Sequence, residues 1–330
     1  MSQDPRDSSL NRREFLARAA KAASAAAVAC AGAYWVYDSV APQAAEKARP
    51  AEVSDYSIPS LRGRMSIVTG ADRTQTVRRA LEALGGIAAF VAKGDRVLLK
   101  VNAAFAAPPA LSATTNPELL AEVARLCLAA GAASVVVSDN PINDPASCFA
   151  LSGIEQAARG AGAKVVLPSD RLFAPTTVKG ARLLRDWPVL QGALAGADKV
   201  IGIAPVKHHQ HAGASMTIKN WYGLLGGRRN TLHQDINTTI AELAMMVRPT
   251  LVILDGTTAM MRNGPTGGSL DDLAATHTMI AGTDQVAVDA FGATLLGKSP
   301  ADLPYLAMAA AAGCGTVDYA SLNPIKVDAS

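Results

Sequence analysis

Short runs of apolar, β-branched residues alternate along most of this chain with stretches of helical periodicity. Ser66-Ile67-Val68 reads as a strand leading to Gly70. Over 72–84 the pattern turns helical, with Val77, Leu81 and Leu84 on one face and Gly85-Gly86 ending it. Residues 96–101 form a buried-type strand that finishes at Lys100 and Asn102. Thr115-Asn116-Pro117-Glu118 is a helix start, with a capping residue, an early proline and then an acid. That helix turns Leu119, Leu120, Val123, Leu126 and Cys127 inward and ends at Gly131. Ser134-Val135-Val136-Val137 is the next strand and closes on Ser138, Asp139 and Asn140. A helix over 153–161 and a strand over 164–167 repeat the unit. Further strands fall at 198–203, 250–255 and 278–281, and the last leads through Thr283-Asp284 into a helix to Leu296 carrying Asp289.

Strands alternating with helices predict an α/β fold, a mostly parallel sheet flanked by helices on both faces. Ligands of such sheets bind beyond the carboxyl ends of the strands. Lys100 and Asn102, Ser138 and Asp139, Lys207 and His208, Asp255 and Asp284 all fall at predicted strand ends. Together they read as one polar rim.

Residues 205–235 carry most of the chemistry. Four of the five histidines lie here: His208, His209, His211 and His233. The segment 215–225 reads as one helix capped by Ser215. Ile218, Trp221, Tyr222 and Leu225 make its apolar stripe, and Met216, Lys219, Asn220 and Gly223 the opposite one. That arrangement places Lys219 on a solvated face beside a residue without a side chain. His208 and His211 share a face if the preceding stretch is helical; His209 and His211 share one if it is a strand. Either pair supplies two imidazoles, with His233 or Asp255 as a third ligand, so one divalent transition metal is a candidate cofactor at His208, His211 and His233. The loop Gly264-Pro265-Thr266-Gly267-Gly268 is either a plain connection or a lid.

Several function classes lack their signatures. No phosphate loop, dinucleotide fingerprint, GxSxG elbow or HExxH pair occurs. The four cysteines are widely spaced, with no CxxC, so no cysteine-ligated iron–sulfur cluster is encoded. Net charge is only +3 and aromatic content 5%, with no basic run beyond the N-terminus, which argues against nucleic acid. The N-terminal Asn11-Arg12-Arg13-Glu14-Phe15-Leu16 resembles a twin-arginine export signal, followed by an Ala-rich stretch. The expected organisation is a signal or membrane anchor over 1–44, a linker over 45–64 and one domain over 65–330. The twin-arginine translocase is then a partner during export, and the location periplasmic.

LLKVN near position 100, TTNPELLAEVARL, AGAASVVVSDN, KHHQHAGASMTIKNWYGLLGG, LDGTTAMMRNGPTGG and TDQVAVDAFGATLLG resemble successive blocks of the domain of unknown function 362. The resemblance covers roughly 95–316. It implies motif residues at Lys100, Asn102, Lys207, His208, Lys219, Asn220, Gly223, His233, Asp255, Asn263, Asp284 and Asp289, and no settled activity. Many members carry appended ferredoxin-type cysteine clusters, which implies redox work; this chain carries none. The combined expectation is an exported protein whose crevice binds a small anionic ligand. Lys100, Asn102, Lys207, Asn263, Asp284 and Asp289 would hold that ligand, and His208, Lys219, Asn220, His233 and Asp255 would act on it. A redox or metal-assisted enzyme is one expectation; a non-catalytic periplasmic binding or cofactor-maturation protein is the other.

Overall fold

The computed structural model describes residues 52–329. The strands of this region are β1 (Met65–Thr69), β2 (Arg96–Lys100), β3 (Ser134–Ser138), β4 (Lys164–Val166), β5 (Ala174–Thr176), β6 (Trp187–Val189), β7 (Lys199–His209), β8 (Gly213–Ser215), β9 (Leu251–Met260), β10 (Leu273–Gly282) and β11 (Ile325–Asp328). Nine of them form one sheet in the order β11-β1-β10-β9-β7-β2-β3-β4, with β8 paired to β7; β5 and β6 form a separate hairpin. Strands β4, β3, β2, β7 and β9 are mutually parallel. Strand β10 runs against both its neighbours, β1 and β9.

The central strands are apolar on both faces because both faces are covered. Val97 and Leu99 of β2 enter one core cluster, with the helices α1 (Arg73–Ala83), α2 (Pro117–Ala129), α3 (Pro145–Leu151) and α4 (Ile154–Gly160). Leu98 enters the other, with α5 (Gln191–Leu194), α6 (Thr217–Asn220), α7 (Ile236–Met246), α8 (Gln285–Leu295) and α9 (Pro304–Ala311). Helix α1 starts where Asp72 accepts from Gln75 N, and α2 where Asn116 accepts from Glu118 N ahead of Pro117.

Chain direction across the sheet reverses between β2 and β7. From β2 the chain steps outward to β3 and β4; from β7 it steps the other way to β9 and β10. The loops beyond the carboxyl ends of β2 and β7 therefore diverge and leave a crevice.

Three expectations are corrected. The segment 215–225 is not one helix: Ser215 ends β8, α6 spans four residues, and a 3-10 turn (Trp221–Leu224) follows. Ser215 is not the cap. Asp289 of α8 accepts from Thr217 N at 2.8 Å and Ile218 N at 3.0 Å, so the capping carboxylate comes from far along the chain. Both stripes of this segment are buried, Lys219 included, since the sheet covers one side and α7, α8 and the loops the other. Second, β7 does not stop near Ile203 but runs to His209, because β8 folds back and pairs with Lys207, His208 and His209. Third, residues 55–64 are packed on the domain, not linker: Tyr56 and Leu61 are buried and Asp55 bridges to Arg248. The export signal and anchor lie outside the described residues; among those described, no helix is long and apolar enough to cross a membrane.

Candidate functional site

Lys100, the last residue of β2, is fully buried, and its ammonium lies 2.8 Å from Asp139 Oδ1 at the end of β3. It also donates to the carbonyls of Val101 and Asn220, at 2.6 and 2.8 Å. Burial lowers the Lys100 pKa, and Asp139 works against that shift. Asp139 accepts in addition from Ala103 N at 2.6 Å and Asn140 N at 2.9 Å. Gly223 completes this knot. A Cβ there would stand 1.8 Å from Asp139 Oδ1, so only glycine lets the turn close over the carboxylate. Asn220 ties the knot to the next layer: its Oδ1 accepts from Lys100 at 3.1 Å and from Asn102 Nδ2 at 3.3 Å.

Beside it opens a cavity of about 350 Å³ at the switch point. Lys207, Lys219 and Arg229 line it, with His209, His211 and His233, and Phe105, Ile142 and Tyr222 give it apolar walls. Lys207 donates to Asn102 Oδ1 at 3.3 Å and to the Ala113 carbonyl, and lies over the Phe105 ring. Lys219 sits 5.0 Å from the Tyr222 ring centroid. Arg229 donates to the carbonyls of Tyr222, Leu225 and Pro141. None of the three cations forms an ion pair with a carboxylate among the described residues. Burial, reinforced by the neighbouring Lys219 charge, pulls Lys207 down to about 7; burial and Arg229 pull Lys219 down to about 8. Burial and the lysines lower His209 to about 2. His233 is also lowered, by burial first, with the Asn230 carbonyl opposing.

His209 follows from strand parity. Lys207 and His209 are two apart on β7 and face the cavity together, whereas His208 turns away and accepts from Gly264 N at 3.2 Å. The rings of His209, His211 and His233 converge with centroids 6.0 to 6.3 Å apart. The metal set His208, His211 and His233 is thus not assembled. No group of three His, Cys, Asp or Glu among the described residues is arranged to hold a metal, and three cations line the same walls.

The sequence-expected residues divide cleanly. Asn102, Lys207, His211, Lys219, Asn220 and His233 line the cavity, and Lys100 lies directly behind it. Asp255, Asn263, Asp284 and Asp289 do not reach it. Asp255 pairs with Arg73 at 2.8 Å, and Asn263 donates to Asp272. Asp284 accepts from Val286 N and Thr316 N as the cap of α8, and Asp289 caps α6. Each of the three carboxylates is occupied by backbone N–H groups or by arginine. Of the residues missed, His209 was legible from the strand alternative. Arg229 had no periodic signal, since it opens a 3-10 stretch (Arg229–Asp235) before α7.

Protonation of His209 sets an acid limit to stability. In the unfolded chain it takes a proton as pH falls through about 6.5; folded, it stays neutral down to about 2. Its contribution is complete above the unfolded value and drains away below it, reaching about 2–3 kcal/mol lost near pH 4.5. Urea denaturation of wild type and His209→Asn across that range should show the wild type losing more by this amount. Parallel curves would mean His209 titrates normally.

Fold and site define an α/β protein with a cation-lined cavity at the switch point of its sheet. A family model described as Domain of unknown function (DUF362) matches residues 97–294, more than half of the chain, and the protein belongs to that family. It is 30% identical over 246 residues to a thylakoid-associated protein of Synechocystis sp., across 70% of this chain and 72% of that protein. Among solved structures it is similar to the lactate racemase apoprotein of Thermoanaerobacterium thermosaccharolyticum, with a TM-score of 0.37 at 14% identity over 72% of this chain. A Thermotoga maritima protein gives a TM-score of 0.36 at 12% identity over 70%. The chain spans 58% of the length of each of these two.

Proposed function

We propose that this protein binds a small organic anion in the cavity and acts on it by proton transfer. The observation that carries the reading is the group Lys207, Lys219 and Arg229, the lysines buried and the arginine half-buried, with no carboxylate of their own among the described residues. Asp139, whose charge acts on Lys207 and Arg229, is already committed to Lys100. Cations held away from water without a countercharge are unfavourable, and an anionic head group would relieve all three at once. Phe105, Ile142 and Tyr222 leave room for an apolar body behind that head. Lysines near 7 and 8 can exchange protons at ordinary pH. The metal-assisted version loses its support with His208 turned away. Export by the twin-arginine route to the periplasm belongs to the same proposal, supported by Arg12-Arg13 and the Ala-rich stretch behind them.

Titration calorimetry at low salt with inorganic phosphate, acetate, benzoate and citrate tests the binding. At least one should bind, more weakly as pH rises from 6 to 9, because Lys207 and then Lys219 lose the charge that an anion needs. Absence of binding by all four at the acid end would sink the reading. Incubation of bound carboxylates in heavy water then asks about catalysis. Exchange of a carbon-bound hydrogen supports an enzyme, and binding without exchange leaves a non-catalytic binding protein.

A further inference from the structure

Two histidines of the cavity hold their protons on opposite ring nitrogens, and their partners decide it. His209 Nδ1 accepts from the backbone N–H groups of His211 and Ala212, each at 3.2 Å. A nitrogen that accepts carries no proton, so neutral His209 carries its proton on Nε2. His233 Nδ1 lies 2.9 Å from the Tyr222 hydroxyl. That hydroxyl has one proton, and it goes to the Arg229 carbonyl, which can only accept. Burial keeps the phenol protonated. His233 must therefore donate from Nδ1, which leaves a bare lone pair on Nε2. The two rings stack with centroids 6.0 Å apart on the cavity wall. The Asn230 carbonyl also accepts from the His233 ring, and a neutral ring has one N–H, so it shares the proton that faces Tyr222. The cavity thus presents one fixed donor and one fixed acceptor beside its cations.

We infer that the site selects an oxyanion that carries its own hydroxyl hydrogen, such as a monoprotonated phosphoryl group, over one that can only accept. The inference rests on the anion-binding reading and assigns its selectivity. The cations attract either kind of anion, and the His209 N–H can donate to either. Only the protonated kind has a hydrogen for His233; the other points a lone pair at a lone pair in a desolvated place. Tyr222 is then a positioning residue, acting through the His233 tautomer and touching no ligand proton itself.

Inorganic phosphate and sulfate share size and shape but differ in that hydrogen slightly below neutral pH. Calorimetry there should favour phosphate by roughly tenfold or more. Phenyl phosphate against phenyl sulfate asks whether the preference extends to an ester with an apolar body. Two-bond proton–nitrogen NMR of protein labelled at histidine should show His209 as the Nε2–H form and His233 as the Nδ1–H form. Tyr222→Phe removes one of the two acceptors of the His233 proton, so the Nδ1–H signal should weaken and the phosphate preference fall while both anions still bind. If that variant does not fold, the wild-type tautomers and affinity ratio decide alone. Equal affinity for phosphate and sulfate, or His233 in the Nε2–H form, overturns the inference and leaves the cationic cavity standing. Binding of neither anion, with acetate, benzoate and citrate also unbound, overturns both.

Discussion

Asp139→Ala should destabilise the protein by about 3–5 kcal/mol, the largest loss expected from any single change at the site. The carboxylate is the countercharge of a fully buried ammonium, 2.8 Å away, and it also accepts from two backbone N–H groups. Its removal leaves Lys100 charged and unmatched, or forces it to deprotonate against three oxygen acceptors. It also strands the Ala103 amide beyond the end of β2, while the Asn140 amide keeps the Gly223 carbonyl. Urea denaturation reads the effect as a fall in midpoint at unchanged slope. Adding Lys100→Met to the same chain should recover part of the loss, since the stranded charge goes with it. A single variant within about 1 kcal/mol of wild type would mean that the pair is not structural.

Lys219→Met should move affinity and stability in opposite directions. Anion affinity should drop about 10–100-fold, because a charge-assisted contact is worth roughly 1.5–3 kcal/mol. Stability should rise by about 1–3 kcal/mol, since methionine fills the same space without the cost of burying an unpaired ammonium. That cost is visible in Lys219 itself, held down to about 8 by burial and by Arg229. The same variant therefore separates a ligand-binding lysine from one that holds the fold together. Calorimetry with the best-bound anion and a thermal melt on the same sample measure both. Loss of stability alongside loss of binding would place Lys219 with Lys100 as a structural cation.

Lys100 and Lys207 show how far one-dimensional reading reaches. Each follows an apolar run, which marks it as a strand end, and the same signal marks Asp139. What no pattern distinguishes is their division of labour. Lys100 is saturated by Asp139 and two carbonyls, while Lys207 has no carboxylate among the described residues. That difference depends on which strand end lies beside which, and β2 and β7 are about a hundred residues apart in the chain.

Local signals fixed the periodic elements of this protein. The caps at Asp72 and Asn116 and the buried runs of β2, β3 and β9 follow from properties of neighbouring residues, and they determine an α/β sheet with its polar rim. The tertiary structure decided the rest where partners are distant. Asp289 starts α6 from α8, β8 draws β7 on to His209, and β11 exists only by pairing with β1. It also kept Asp255, Asn263, Asp284 and Asp289 from the cavity, each bonded to Arg73, Asp272, Thr316 or Thr217 instead. Periodicity reports what a residue's own segment buries. Which face of His208-His209 meets the cavity was set by the pairing of β7 with β8 and, at Lys207, with Met260 of β9, which the periodicity of the segment itself does not contain.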